Sequence, residues 1–166
     1  MKKIYINIIS ASRILFGLLF LYFTIFDFNT LNLIIIFIAT AISDISDGNI
    51  ARKYGLSSNE GARFDVMCDF IFILFSTLGL VFIGLIPWWF LIVIILKLAE
   101  FFKTSGSGSL SYEKFGHFVA LMFYAFPIVA ILINNKNVIL IIALIITVCA
   151  IVSSISRIRG KKIDFT

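Results

Sequence analysis

The chain has 166 residues, of which 61% are apolar and only 14% are charged. Soluble domains contain about 45–50% apolar and about 25% charged residues, so this composition excludes a soluble globular protein and also a disordered one. Two cysteines are too few for a disulfide scaffold. In so apolar a chain, the net charge of +5 indicates membrane topology rather than nucleic-acid binding.

Six segments are long and apolar enough to be candidate membrane spans, which need about 20 residues each. They are residues 8–26, 31–53, 60–84, 87–104, 115–134 and 137–157. The charge-free stretch 70–96 is too long for one ordinary span, and Gly84 and Pro87 predict a break within it; one kinked helix is the alternative. We therefore predict an all-α integral membrane protein with six transmembrane helices in a single domain, residues 1–166.

The distribution of lysine and arginine orients these spans. With six spans, every Lys and Arg except Lys136 falls on one side of the membrane. The positive-inside rule predicts that this side is cytoplasmic and contains both termini. Lys2 and Lys3 precede the first apolar run as in a signal peptide, but no small-residue cleavage site follows, so we expect this span to be retained in the cell membrane.

Four aspartates lie at helical spacing near the cytoplasmic ends of the second and third spans. Asp44 and Asp47 are three residues apart, and Asp65 and Asp69 are four apart, so each pair shares a helix face. A short connection predicts that the two helices are antiparallel neighbours whose acidic faces converge. Clusters of carboxylates suit hard cations such as Mg²⁺ or Mn²⁺, and four carboxylates predict two ions.

Residues between these aspartates predict a diphosphate site beside the metals. Gly48 and Ala51 are small and permit close approach of a ligand to the helix. Arg52 can bind phosphate through two hydrogen bonds. Gly61 begins the third span, where free backbone N–H groups and the helix dipole favour anions.

The segment 44–69 resembles the signature of the CDP-alcohol phosphotransferases, D-x-x-D-G-x-x-A-R-x8-G-x-x-x-D-x-x-x-D, and matches all eight of its fixed residues. This resemblance implies transfer of a phosphoalcohol group from a CDP-linked donor to an acceptor hydroxyl, with release of CMP, by a homodimer. It also implies that Asp44, Asp47, Asp65 and Asp69 bind the metals and that Asp69 accepts the proton.

The resemblance further implies a set of residues that bind the CDP-linked lipid. They are Asn7, Ser10, Gly48, Ala51, Arg52, Ser58 and Gly61. Cationic residues elsewhere are candidates for contacts with the acceptor or a phosphate: Arg13, Lys97, Lys103, Lys114 and Arg157. For Arg13 the alternative is snorkelling of its charged end to the membrane interface, and for Lys97 and Lys103 it is interfacial anchoring.

These features lead to a functional hypothesis with open alternatives. We predict a phospholipid synthase in which CDP-diacylglycerol, or CDP-archaeol in an archaeon, reacts with a small polar alcohol, glycerol 3-phosphate first and serine or an inositol phosphate next. Its partners are then lipids and a small acceptor, with no nucleic acid. A divalent-cation transporter is the alternative of another class, since intramembrane carboxylates often mark ion pathways, and a non-catalytic scaffold is the third.

Overall fold

The computed structural model describes residues 2–53, 59–104 and 114–163. These residues form six α-helices and no other regular element. The helices are α1 (Lys2–Phe26), α2 (Thr30–Lys53), α3 (Asn59–Phe82), α4 (Trp89–Thr104), α5 (Lys114–Ile133) and α6 (Lys136–Ile163). The prediction of an all-helical chain is confirmed.

Helix ends in the described residues follow local sequence signals. The Asn29 side chain accepts a hydrogen bond from the backbone N–H of Leu31 (2.9 Å) and caps α2, and Asn135 caps α6 in the same way. Gly84 has a φ of 69°, a conformation that glycine adopts readily, and it turns the chain after α3. The predicted break between the third and fourth helices is therefore confirmed.

Four helices in the described part of the chain contain segments long and apolar enough to cross a membrane: Ile8–Phe26, Gly61–Phe82, Gly116–Ile133 and Lys136–Ser156. The chain is accordingly an integral membrane protein. Within the described residues α2 contributes a shorter apolar segment, Thr30–Ser46, which includes Asp44. Helix α4 has only 16 residues, or about 24 Å at 1.5 Å per residue.

The helices form two compact units, Met1–Gly84 and Leu85–Thr166. In the first unit the main helix contacts are those of α1 with α3 and of α1 with α2. Phe37 of α2 and Phe72 of α3 also lie close together, with ring centroids 6.2 Å apart, so α2 and α3 are in contact as predicted. The prediction did not include the packing of α1 against both. Gly17 makes this possible, because a Cβ atom there would lie 3.2 Å from the Cα of Phe72 on α3. The second unit is held by contacts of α6 with α4 and α5.

Candidate active site

The carboxylates of two helices converge in the first unit. Asp44 lies on α2, and Asp65 and Asp69 lie one turn apart on α3. Carboxylate oxygens of these three residues all lie within 4.8 Å of one another. The convergence predicted from the spacing is thus observed for three of the four aspartates.

A guanidinium from α1 lies among these carboxylates. Arg13 Nη1 is 3.2 Å from Asp44 Oδ1 and donates a hydrogen bond to Asp69 Oδ1, while Nη2 donates one to Asp65 Oδ1. The Arg13 side chain is 0% exposed. It therefore does not snorkel to the interface, and that alternative is wrong. The charge lies inside the bundle because the carboxylates there replace its hydration.

Two serines next to this cluster join α1 to α2. The hydroxyls of Ser12 and Ser43 are 3.1 Å apart, and Ser43 Oγ also donates to the Ile9 carbonyl at 3.1 Å. Each serine directly precedes a charged residue of the cluster in sequence, Arg13 or Asp44. Neither serine was predicted from the sequence, although small polar residues beside charges in an apolar helix are a usable signal of helix–helix contact.

The donor set of the cluster suits a hard divalent cation. Mg²⁺ and Mn²⁺ prefer oxygen ligands and are bound by carboxylates at short distances. The side chains of Asp44, Asp65 and Asp69 are 44%, 34% and 27% exposed, so the cluster is open on one side although Arg13 is buried.

The other predicted residues of this unit are placed by the backbone. Asp47 and Gly48 follow Asp44 on α2, and Gly61 lies in the first turn of α3. Ser10 is buried on α1, one turn before Arg13. The side chains of Asn7, Asp47, Ala51 and Arg52, and the whole of Ser58, lie outside the described part of the structure, so their predicted roles stay predictions.

Predicted acceptor contacts in the second unit have different surroundings. Lys97 Nζ lies 2.9 Å from Glu100 Oε2, 3.2 Å from Ser153 Oγ and 3.0 Å from Ser154 Oγ, and it donates to the Ala150 carbonyl at 3.3 Å. This ammonium is 11% exposed and joins α4 to α6. It is thus largely buried between these helices, and both of its predicted roles, acceptor contact and interfacial anchoring, stay predictions.

Three further cations of the predicted set belong to the same unit. Lys103 is exposed in the last turn of α4. Lys114 begins α5 and Arg157 lies on α6, with side chains outside the described part. A contact of any of them with an acceptor or a phosphate remains a prediction.

Comparison with known proteins agrees with the signature. Residues 4–151 match the CDP-alcohol phosphatidyltransferase family. The chain belongs to this family. The match covers α1, with its Arg13, as well as the signature segment, so the family assignment rests on most of the chain rather than on residues 44–69 alone.

Individual relatives have more specific names. A probable phosphatidylglycerophosphate synthase of Mycobacterium tuberculosis (strain ATCC 25618 / H37Rv) is 36% identical over 62 residues, which are 37% of this chain and 30% of that protein. A CDP-diacylglycerol–glycerol-3-phosphate 3-phosphatidyltransferase of Aquifex aeolicus (strain VF5) is 34% identical over 76 residues, which are 46% of this chain and 42% of that protein. The chain thus spans less than half the length of these relatives.

Proposed function

We propose that this protein transfers a phosphatidyl group, or an archaetidyl group in an archaeon, from a CDP-linked lipid to a small alcohol and releases CMP. The observation that carries the proposal is the cluster of Asp44, Asp65 and Asp69, assembled from the two helices that contain the complete signature. Family membership supports the same reaction.

Residues of the first unit have different roles in the proposed reaction. Asp44, Asp65 and Asp69, together with Asp47, hold one or two Mg²⁺ or Mn²⁺ ions. When bound, these cations neutralise the diphosphate of the donor and the charge that develops on CMP. Asp69 takes the proton of the acceptor hydroxyl. The oxygen of that hydroxyl then bonds to the lipid-linked phosphorus, and the bond from this phosphorus to CMP breaks. Arg52 and the start of α3 at Gly61 bind donor phosphate.

Glycerol 3-phosphate is the acceptor that we propose, with serine or an inositol phosphate as the next candidates. The names of the two relatives support it, since both refer to phosphatidylglycerophosphate synthesis. Several cations in the predicted cytoplasmic segments, Lys103 and Lys114 among them, suit an anionic acceptor. The signature segment binds the donor and does not select among these alcohols.

The membrane arrangement that fits this chemistry has six spans, with both termini and the carboxylate cluster on the cytoplasmic side. A soluble nucleotide and a lipid tail meet at that edge of the bilayer. The lysine and arginine distribution supports this orientation. We also propose a homodimer, on the resemblance to the family alone.

A transfer assay tests the function. Purified protein in detergent receives Mg²⁺ or Mn²⁺, CDP-diacylglycerol or CDP-archaeol, and one labelled acceptor at a time: glycerol 3-phosphate, serine, inositol, inositol phosphate, ethanolamine or choline. We expect CMP release and a labelled lipid with glycerol 3-phosphate. Turnover with another acceptor would correct the acceptor alone. Silence with every acceptor from folded protein would contradict the reaction, and metal flux into vesicles would then be measured.

A further inference from the structure

Arg13 contacts the same carboxylates that are proposed to bind the metal. Its two terminal nitrogens face the Oδ1 atoms of Asp44, Asp65 and Asp69. The guanidinium is buried and comes from α1, a helix outside the signature segment. The signature therefore does not explain why a cation from a third helix lies at the centre of the cluster.

A guanidinium and a metal ion compete for these oxygens. A divalent cation such as Mg²⁺ lies about 2.0–2.1 Å from each ligand oxygen. The three carboxylates approach within 4.8 Å of one another, so a cation that they share lies between them, in the region that the Arg13 nitrogens face. Arginine stays protonated in proteins and has only donors, so it cannot become a ligand and would repel the ion.

Arg13 also solves a problem that the metal-free cluster would have. Three carboxylates this close repel one another, and in a membrane-embedded bundle that repulsion is screened weakly by water. The guanidinium contacts carboxylates of both acidic helices and so offsets this repulsion. Since Asp69 Oδ1 accepts one of its hydrogen bonds, the same contact also occupies the proposed proton acceptor.

We propose that Arg13 and the divalent cation are alternative occupants of the carboxylate cluster, so that Arg13 closes the metal-free site and leaves it when metal binds. This inference rests on the proposed function, because it takes the cluster to be a metal site. Arg13 is then a positioning residue that preserves the arrangement of the carboxylates and lowers the apparent metal affinity. It also keeps Asp69 hydrogen-bonded until the cation replaces Arg13.

The test compares Mn²⁺ binding and thermal unfolding of detergent-solubilised wild-type protein, Arg13→Gln, Arg13→Lys and a control, Lys97→Gln. The control removes a buried cation from the second unit. We expect Arg13→Gln to bind Mn²⁺ at least tenfold more tightly, to unfold at a lower temperature without metal and to gain more stability from Mn²⁺ than the wild type. Arg13→Lys should lie between the two, and Lys97→Gln should bind Mn²⁺ with wild-type affinity.

A second measurement follows the displacement in the wild type and does not depend on any variant's folding. Phenylglyoxal modifies accessible arginines, and mass spectrometry of the peptide that contains Arg13 measures its modification. We expect protection without metal and modification at saturating Mn²⁺. Equal protection of Arg13 with and without Mn²⁺ would overturn the proposal that the cation displaces Arg13. Unchanged or weaker Mn²⁺ binding by Arg13→Gln would overturn it as well. Absence of Mn²⁺ binding by the folded wild type would instead contradict the metal site of the proposed function.

Discussion

Each unit of this protein contains a largely buried cation bound to acidic groups, but the two clusters differ in the number of carboxylates around the cation. In the first, the Arg13 guanidinium contacts three carboxylates from two other helices. In the second, the Lys97 ammonium pairs with one carboxylate, Glu100 of its own helix, and with hydroxyls of α6. A cation paired with one carboxylate and several hydroxyls is a structural link between two helices, whereas three carboxylates around one cation are also an oxygen donor set for a divalent cation.

Exposure separates the clusters in the same way. The carboxylates around Arg13 are 27–44% exposed, whereas Glu100 is only 16% exposed and accepts a hydrogen bond from Ser154 at 2.5 Å. A ligand can reach the first cluster but would have to open α4 from α6 to reach the second. We infer that the first cluster binds a ligand, whereas the second stabilises the packing of α4 against α6.

The largest effect that we expect on activity comes from loss of the proposed proton acceptor in the first cluster. Asp69→Asn keeps the size of the side chain but removes the base, so transfer should fall by at least about 10²-fold, the usual contribution of general base catalysis. CMP release by folded, inserted protein measures it. Asp27→Asn is the matched control, because Asp27 is exposed beyond the far end of α1, and it should keep wild-type turnover. Near-normal turnover of Asp69→Asn would assign the base elsewhere.

In the second cluster, breaking the pair should affect stability. Lys97→Met removes the ammonium partner of the buried Glu100 and should cost about 3–5 kcal/mol in the free energy of unfolding, the usual cost of losing one member of a buried ion pair. Unfolding in detergent measures it. The double variant Lys97→Met, Glu100→Met should recover most of that loss, since no charge stays buried. A double variant as unstable as the single one would show that the pairing is not what stabilises α4 against α6.

The sequence predicted the features that local spacing decides, but it did not indicate how α1 packs. Helical periodicity placed Asp65 and Asp69 on one face of α3, and Gly84 with Pro87 separated α3 from α4. The position of α1 against both acidic helices could not be predicted, because a short connection indicates that α2 and α3 are neighbours and says nothing of a third helix.

Arg13 shows the consequence. In the sequence it is one cation in an apolar run, and phosphate contact and snorkelling fit it equally well. The three carboxylates that it contacts in the described part of the chain are 31 or more residues away, so no local pattern contains them. Gly17 one turn later, small enough for α1 to approach Phe72 of α3, was the signal in the sequence that α1 packs tightly there, but a single glycine is a weak signal without the structure.

A smaller effect concerns donor binding next to the first cluster. Arg52→Ala removes the proposed charge-assisted contact with donor phosphate and should weaken binding of the CDP-linked lipid by roughly 1.5–3 kcal/mol. A binding titration with a non-reacting CDP-lipid, without acceptor, measures it. Lys53→Ala removes the adjacent cation and should change the affinity far less. Equal effects of the two variants would indicate general attraction of the anionic donor rather than a specific contact of Arg52.

The smallest effects that we expect come from glycines at the contact of α1 with α3, where one substitution lies near the carboxylate cluster and the other lies far from it. A Cβ atom at Gly17 would lie 3.2 Å from the Cα of Phe72, and one at Gly79 would lie 3.0 Å from the Cβ of Thr24, so both Gly17→Ala and Gly79→Ala overpack the contact of α1 with α3. Each should cost about 1–3 kcal/mol in stability.

The two variants should differ in metal binding. Gly17 lies one turn from Arg13, and Phe72 lies one turn from Asp69, whereas Gly79 lies toward the other end of both helices. Gly17→Ala should therefore also change Mn²⁺ affinity severalfold, and Gly79→Ala should not. Equal Mn²⁺ affinities in the two variants would mean that the carboxylate cluster tolerates a shift of α1, and that the spacing of α1 and α3 sets stability alone.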